Sequence, residues 1–338
     1  MSCVDDDTFR GFYMPAEWSP LRRLWVTPPH NAETWPGCLE GAQEQFAEFM
    51  RIAGMYLEVA TTPQLGIATN DSWIRDYGPI FVINDEGQIA CHDFQFNGWG
   101  GKYETRNLDN EVPRQIAQHL DLPCCTHSMV LEGGSIDVNG CGTVMTTRQC
   151  LLNENRNPAM SIKEIEAELH RALGTRHVIW LPGGIEGDDT DGHIDDVARF
   201  VDPQTVLAPR AAPEHPDFAV LERNWDALGQ TRDQDGQPLR RIALPVPEPI
   251  SYDYPPDRWG PGGLQMVPAS YANFVMANGA LLVPIFGQRT DDSALKIFSQ
   301  TLPDYCVIGV PADLLVVGLG SLHCLSQQEP QPTSISTN

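Results

Sequence analysis

The 338-residue sequence lacks the features that mark membrane-spanning and secreted proteins. It contains no run of about 18 apolar residues, the length that a transmembrane helix requires. Its first residues, MSCVDDDTFRGFYM, are acidic where a secretory signal would have a basic segment followed by an apolar one. We therefore expect a protein without a membrane span or an export signal, located in the cytoplasm.

Basic residues are scarce. The chain has 22 lysines and arginines against 45 aspartates and glutamates, for a formal net charge of -23. A negative field of this size repels nucleic acids and anionic membranes, so neither is an expected partner. It favours small cationic molecules, although solubility alone would also account for the charge.

The cysteines form no recognisable pairing pattern. There are nine, an odd number, and no two are spaced as C-x-x-C. This spacing gives no indication of a zinc ribbon or a thioredoxin-type motif. Most of these cysteines are therefore expected to be small buried hydrophobic residues, and at most one or two to be reactive.

Apolar segments recur along the chain in a fixed order. Two strand-like runs joined by a tight turn precede an amphipathic helical stretch and a third strand-like run, as in SIDVNGCGTVMTT, SIKEIEAELHRALG and HVIWLP. Three further segments repeat this order, and a fifth, at the N-terminus, lacks the first strand. The pattern predicts an α/β fold of about five ββαβ units. The segment GSLHCLSQ could supply the missing strand and close a ring, while a linear sheet is the alternative.

No low-complexity linker divides the chain. We therefore predict one catalytic domain over residues 1–328. The remaining residues, 329–338, read EPQPTSISTN and are expected to form an unstructured tail.

Polar motifs occupy four corresponding joints between the repeats. They read NDSWIRD, LEGGS, DDTDGHID and GLGSLHC, and they begin at Asn70, Leu131, Asp188 and Gly318. In a ring, equivalent joints face one mouth. We therefore expect carboxylates, a histidine and a cysteine around a single pocket.

Two of these joints carry candidate reactive groups. Cys324 follows glycines that permit close backbone approach to a ligand, which favours a nucleophile over a structural cysteine. His193 and Asp195 are two positions apart in an extended run, so their side chains share one face. This arrangement suits an oriented general acid/base, and a fragment of a metal site is the alternative.

The other joints carry candidate substrate contacts. Asp76 could clamp a planar guanidinium or merely form a turn. Glu132 could polarise His193, hold guanidinium nitrogens or cap a turn. Trp73 could cover a cation or belong to the core. Asp189, in an acidic loop, could receive a distal ammonium or simply face solvent.

Taken together, these motifs resemble the agmatine deiminase branch of the guanidino-group-modifying superfamily, alongside bacterial peptidyl-arginine deiminases. The resemblance extends from MPAEW, at Met14, to Gln328. It also includes NDSWIRDYGP, FNGWGGKY, LEGGSIDVNGCGTVMTT, LLNENRNP, DGHIDDVARF, SYANF and GSLHCLSQQEP. Their occurrence in this order is specific to the family, whereas any one alone would be weak.

The resemblance implies a five-bladed α/β propeller with pseudo-five-fold symmetry, the pentein fold. It also implies roles for individual residues: Cys324 as nucleophile, His193 as general acid/base with Glu132 beside it, and Asp76 and Asp195 as the guanidinium grip. By the same resemblance, Trp73 and Asp189 surround the substrate chain and its terminal amine. No organic cofactor or metal is implied, and a homodimer is the family habit.

The expected substrate is agmatine, hydrolysed to N-carbamoylputrescine and ammonia. Free arginine would need a basic partner for its carboxylate, and the loop before His193 offers only carboxylates. Peptidyl-arginine or another guanidino compound is the first alternative. A non-catalytic protein that binds cationic amines and a metal-dependent amidohydrolase using His193 and Asp195 are the others.

Overall fold

A computed structural model describes residues 7–104, 107–256 and 262–331 of the chain. Its first third contains β1 (Leu21–Val26), α1 (Leu39–Ala53), β2 (Glu58–Thr61), α2 (Ile74–Tyr77), β3 (Ile80–Ile83), β4 (Ile89–Gln95), α3 (Gly98–Gly101), α4 (Val112–Leu120) and β5 (Cys124–Val130). The middle contains β6 (Asp137–Val138), β7 (Thr143–Thr147), α5 (Arg148–Leu151), α6 (Ile162–Leu173), β8 (His177–Leu181), β9 (Arg199–Asp202), β10 (Thr205–Pro209), α7 (Phe218–Gln230) and β11 (Arg240–Leu244). The last part contains β12 (Ser251–Tyr254), β13 (Gly263–Met266), β14 (Val275–Ala277), β15 (Ala280–Ile285), α8 (Arg289–Thr301), β16 (Cys306–Pro311) and β17 (Ser326–Pro330).

Fifteen of the seventeen described strands form five separate three-stranded sheets with one shared topology, and β12 and β13 form a two-stranded sheet. In the sheets β3-β4-β5, β6-β7-β8, β9-β10-β11 and β14-β15-β16, the central strand is antiparallel to the strand before it and parallel to the strand after it. A long helix, α4, α6, α7 or α8, links each parallel pair. The predicted α/β class and the ββαβ order are therefore confirmed. The described strands belong to separate sheets, so the alternative of one linear sheet is wrong, and no sheet among them closes on itself.

The chain ends meet in the fifth of these sheets. Strand β17 pairs antiparallel with β1, which is parallel to β2, so the C-terminal segment supplies the strand that the first repeat lacks. This strand begins at Ser326 and includes Glu329 and Pro330, which the sequence had assigned to the tail. The predicted start of the tail, at residue 329, was therefore wrong. Glu329 is held in the sheet because its buried carboxylate accepts a hydrogen bond from Trp25 Nε1 (2.8 Å). Positions 332–338 lie outside the described residues.

Local chemistry explains where these elements begin and turn. Helix α6 starts at a capping box in which Ser161 and Glu164 bond each other's backbone N–H, and it buries Ile165 and Leu169. Full burial of such a side chain stabilises the fold by roughly 1.5–3 kcal/mol. Asn278 and Gly279 join β14 to β15 with φ of 41° and 91°, the left-handed pair that a two-residue hairpin requires.

The hairpin β12–β13 was not predicted. Its sequence, SYDYPPDRWGPGGLQM, mixes polar, proline and glycine residues, and its side chains are half-buried or exposed where the structure describes them. Such a segment gives no clear apolar alternation. Its position matters for function, since Tyr254 and Gln265 line the cavity that Cys324 also lines. No helix among the described residues is long and apolar enough to cross a membrane.

Candidate active site

The polar joints between the sheets converge on one cavity of about 620 Å³. Trp73, Asp76, Asp189 and Cys324, which come from three of the four predicted motifs, line it. Glu132, His193 and Asp195 are buried beside this lining. The expectation that these joints share one mouth thus agrees with their positions.

Cys324 lies in a turn just before β17, with only 7% of its surface exposed. Its Sγ accepts a hydrogen bond from Asn273 Nδ2 (3.1 Å) and lies 3.6 Å from Asp195 Oδ2, to which the thiol donates. Gly320 allows this approach, because a methyl group there would lie 3.0 Å from Cys324 Cβ and 2.6 Å from the Trp73 ring. The thiol is thereby fixed in the wall of the cavity.

The electrostatic surroundings hold Cys324 in its neutral form. Burial raises the pKa of this thiol well above its usual value, and the charges of Asp195, Asp196 and Asp76 raise it further. A bound cation would reverse the effect of these carboxylates. A cation bound beside these carboxylates would therefore favour the thiolate relative to the empty site.

Asp76 occupies the one-turn helix α2 and points into the cavity. Its Oδ1 accepts a hydrogen bond from the Gly134 N–H (3.0 Å) and its Oδ2 from Trp99 Nε1 (2.8 Å). Burial and the neighbouring Asp195 raise the pKa of Asp76 well above its usual value. A cation placed against this carboxylate would favour its ionised form.

Asp76, His193 and Asp195 meet around the backbone of Gly134. A methyl group on Gly134 would lie 2.6 Å from His193 Nδ1, 2.7 Å from Asp76 Oδ1 and 3.2 Å from Asp195 Oδ2. His193 Nδ1 itself lies 3.5 Å from Asp76 Oδ1. Glycine at position 134 is thus what allows a histidine and two carboxylates from separate joints to come together.

His193 carries an uncharged imidazole in this site. It is buried, and burial lowers the pKa of its imidazole to about 3, despite the opposing charge of Asp195. Its Nε2 has no hydrogen-bond partner within the described part of the chain. A neutral imidazole with an available nitrogen can take up a proton from a reacting group.

Glu132 lies beside His193, the position that the family resemblance implied. A carboxylate oxygen of Glu132 and a ring nitrogen of His193 lie within 4.8 Å of each other. Glu132 Oε1 accepts a hydrogen bond from Arg156 Nε (2.7 Å), whereas Oε2 has no partner among the residues the structure describes. Burial raises the pKa of Glu132, although Arg156 opposes this change.

Asp195 accepts the hydrogen bond that the Cys324 thiol donates. Its Oδ2 lies 2.7 Å from His323 Nδ1, and its Oδ1 has no partner among the described residues. Burial alone would raise the pKa of Asp195, but the hydrogen bond and charge of His323 lower it overall. One oxygen of an ionised carboxylate is therefore available for a ligand.

Trp73 and Asp189 lie where a substrate chain could extend. Trp73 stacks on Trp35, with ring centroids 5.3 Å apart. Asp189 is not open to a ligand on every side: its Oδ2 accepts from Tyr103 Oη (2.6 Å), and its Oδ1 lies 3.4 Å from Lys102 Nζ. The loop before His193 itself offers only carboxylates, but Lys102, from a distant segment of the chain, pairs with Asp189 and Asp191.

Two residues of this site were not singled out from the sequence. Asn273 belongs to the SYANF motif, and besides Sγ it contacts Asp196, with its Nδ2 3.1 Å from Asp196 Oδ1. Arg156 belongs to LLNENRNP and joins Glu132 to Asp191, whose Oδ2 is 2.8 Å from Arg156 Nη1. Both motifs contributed to the resemblance, which was the only available signal for them.

Potential metal ligands also cluster in this region, but not as the metal hypothesis required. Among the described residues, His193 groups with Glu132 and Cys150, whereas Asp195 groups with Asp196 and Cys324. His193 and Asp195 thus fall in different groups and do not form one ligand set.

The site combines a buried thiol, several carboxylates and a neutral imidazole, and repeated ββαβ sheets hold these groups in place. It therefore belongs to the class of cysteine-centred sites that are suited to a cationic ligand. The chain belongs to the Porphyromonas-type peptidyl-arginine deiminase family, whose model matches residues 13–330. It is 37% identical to the agmatine deiminase of Medicago truncatula, over 98% of this chain and 99% of that protein.

Two solved structures are similar to this chain along most of its length. The agmatine deiminase of Enterococcus faecalis superposes with a TM-score of 0.91 at 30% identity, covering 96% of this chain and 97% of that one. A cysteine-to-serine variant of the C. jejuni agmatine deiminase, solved with substrate bound, has a TM-score of 0.85 at 32% identity, covering 96% and 98%.

Proposed function

We propose that this protein hydrolyses agmatine to N-carbamoylputrescine and ammonia through a covalent intermediate on Cys324. The observation that carries the proposal is the position of the Cys324 thiol, 3.6 Å from Asp195 and lining the same cavity as Asp76. Its relatives from Medicago truncatula and Enterococcus faecalis, both named agmatine deiminases, support the choice of substrate.

Binding would prepare both the substrate and the nucleophile. In this proposal Asp76 and Asp195 grip the guanidinium and direct its central carbon towards Sγ. The positive charge of the substrate offsets the carboxylates that keep the Cys324 thiol neutral. The thiol proton passes to the neutral imidazole of His193, and Glu132 beside that ring stabilises the resulting imidazolium.

The chemistry then proceeds in two stages. Sulfur forms a bond to the guanidinium carbon, and the C–N bond to one amino group breaks as His193 returns the proton to it, releasing ammonia. An S-alkylthiouronium remains on Cys324. His193 next takes a proton from water, and the resulting hydroxide attacks the same carbon. The C–S bond breaks, which yields the ureido product, the free thiol and one proton.

Electrostatics favour agmatine over free arginine as the substrate. Asp71, Asp109 and Asp189 all line the cavity, and Lys102 is already paired with Asp189 and Asp191. A substrate with a second positive charge matches this lining, whereas an α-carboxylate would meet repulsion. Peptidyl-arginine is the second candidate, since the matching family model is described as a peptidyl-arginine deiminase. A non-catalytic amine-binding protein is the third.

The same proposal includes the arrangement of the whole chain. Five separate ββαβ sheets, one of them completed by the pairing of β17 with β1, support a five-bladed α/β propeller of the pentein type. We propose that residues 1–328, extended by the end of β17, form a single catalytic domain that acts without a metal or an organic cofactor. A cytoplasmic homodimer remains a prediction from the sequence.

Turnover of alternative substrates tests the proposal directly. Purified protein is incubated with agmatine, arginine or a short arginine peptide, and ureido product and ammonia are measured. We expect turnover of agmatine, none with Cys324→Ala, and no loss of activity on treatment with a chelator. Turnover of the peptide but not agmatine would transfer the assignment to the second candidate. Binding of agmatine without any product would support the third.

A further inference from the structure

His323, the residue before the nucleophile, lies between two buried carboxylates. Its Nδ1 is 2.7 Å from Asp195 Oδ2 and its Nε2 is 2.7 Å from Glu17 Oε1. Glu17 comes from the MPAEW motif, 306 positions away in the sequence. The proposed reaction gives this motif no role. The fold nevertheless places its glutamate against His323, next to the nucleophile.

Glu17 is itself held by two buried arginines. Arg199 Nη2 donates a hydrogen bond to Glu17 Oε2, and Arg75 Nη1 lies 3.5 Å from Glu17 Oε1. Burial alone would raise the pKa of Glu17, but Arg199, His323 and Arg75 together hold it well below its usual range. Because two buried arginines already pair with its carboxylate, Glu17 accepts hydrogen bonds, and its 2.7 Å contact with the ring requires a proton on His323 Nε2.

The same reasoning applies to the other side of the ring. Asp195 Oδ2 also accepts a hydrogen bond from the Cys324 thiol (3.6 Å), so it acts as an acceptor, and its 2.7 Å contact with the ring requires a proton on His323 Nδ1. The remaining charged groups near the ring act less directly. Arg75 Nε donates to the backbone oxygen of His323 (3.3 Å), and both arginines face Glu17 rather than the imidazole.

We propose that His323 is a buried imidazolium held between Glu17 and Asp195, and that it acts as a positioning residue for Asp195. This inference rests on the proposed guanidinium hydrolysis for its catalytic consequence, but not for the protonation state. By occupying Oδ2, His323 fixes the carboxylate plane of Asp195 and leaves Oδ1 available for a guanidinium N–H. Its positive charge, one residue from Cys324, also offsets part of the negative charge around the thiol.

Nitrogen NMR on protein labelled with ¹⁵N-histidine tests the protonation state without any assay of activity. The His323 resonance is identified among the nine histidines by its loss in His323→Gln. The spectrum is recorded at pH about 7.5, where a histidine with the ordinary pKa is mostly neutral. In the wild-type protein at this pH, we expect protons on both ring nitrogens of His323. A His323 ring with one unprotonated nitrogen under these conditions would overturn the proposal.

Kinetics of Glu17→Gln tests the positioning role. The neutral amide preserves shape but removes the charge that holds the second proton. We expect the doubly protonated signal to be lost or weakened and KM for agmatine to rise ~10- to 100-fold, with a smaller change in kcat. An unchanged KM, or a kcat that falls while KM stays constant, would contradict a role in positioning Asp195.

Asp137→Asn is the matched control. Asp137 also contacts Arg199, with its Oδ1 3.4 Å from Arg199 Nε, but it has no contact with His323. We expect this variant to keep both His323 protons and its KM. Equal effects in Asp137→Asn and Glu17→Gln would assign Glu17 a purely structural role. If the wild-type protein turns over no guanidino compound, the NMR result still decides the state of His323.

Discussion

Asn273 Nδ2 lies 3.1 Å from Cys324 Sγ and donates a hydrogen bond to it. The same side chain accepts hydrogen bonds through Oδ1 from Ser321 Oγ (2.8 Å) and from the His323 N–H (2.9 Å). One amide therefore anchors the turn that carries the nucleophile and also contacts its sulfur. A donor at this position stabilises a thiolate more than a neutral thiol.

Removing this donor should slow the chemical step. We expect Asn273→Ala to lower kcat roughly 10²-fold, as is typical for loss of one preorganised donor, with a smaller change in KM. Ser321→Ala is the control, because it removes an anchor of the Asn273 side chain but leaves the contact to Sγ. Steady-state kinetics of the two variants separates these effects. An equal loss in both would mean that the turn, and not the hydrogen bond to sulfur, limits the reaction.

Substrate binding should release protons. Asp76 and Asp196 are buried, and burial together with neighbouring carboxylates raises the pKa of each well above its usual value. A guanidinium cation favours their ionised forms, so its affinity should increase as the pH rises through these raised pKa values in the free protein. Calorimetry of agmatine binding to Cys324→Ser, in buffers of different ionisation enthalpy, measures the number of protons released.

Asp76→Asn provides the comparison for this measurement. It removes one of the groups that must ionise, so the dependence of the binding enthalpy on buffer should decrease. Asp189→Asn, which alters the cavity next to Lys102 and Tyr103, should retain it. Binding of agmatine to the parent Cys324→Ser protein without any buffer dependence would show that the carboxylates are already ionised in the free site.

Local patterns predicted the repeats and the residues that lie at their joints. Asp76, His193 and Asp195 each follow or precede a strand-like run, and equivalent joints of repeated units meet in space. Helix α6 was predicted correctly because its apolar spacing and its capping serine are encoded within a dozen residues. Such features can be predicted because the interactions that determine them lie between residues close together in the sequence.

Partners that come from distant segments could not be predicted in this way. Asn273 is 51 positions from Cys324, Glu17 is 306 from His323, and Lys102 is 89 from Asp191. Each contact depends on how the sheets are arranged, which apolar periodicity does not specify. The same limit applies to Asp189: its acidic loop indicates an open anionic surface, whereas the fold places Lys102 and Tyr103 against it.

The Arg156–Glu132 pair should be important for stability as well as for the site. The two side chains are fully buried, and Nε lies 2.7 Å from Oε1. Arg156→Met would leave an uncompensated buried carboxylate, so the free energy of unfolding should fall by ~3–5 kcal/mol. Adding Glu132→Gln to this variant should restore part of the loss. Urea denaturation monitored by fluorescence measures both changes.

Arg176→Met is the control for this prediction. Arg176 pairs with Asp235, but both side chains are more than half exposed. Water screens such a pair, and its removal should change stability by less than ~1 kcal/mol. If Arg156→Met and Arg176→Met were equally mild, the buried pair would not hold Glu132 in place through its charge.

Gly134→Ala should abolish most activity while leaving the protein folded. The added methyl group would lie 2.6 Å from His193 Nδ1 and 2.7 Å from Asp76 Oδ1, so one of these side chains must move. Displacement of a reacting group by about 1 Å can cost ~10²-fold in rate.

Gly236→Ala is the matched control: a methyl group at Gly236, where φ is +76°, meets nothing within 4 Å. The backbone strain there costs only ~1 kcal/mol and should leave kcat unchanged. Measured kcat values that are the same for both variants would mean that His193 and Asp76 tolerate movement, and that the close approach at Gly134 is not what sets their geometry.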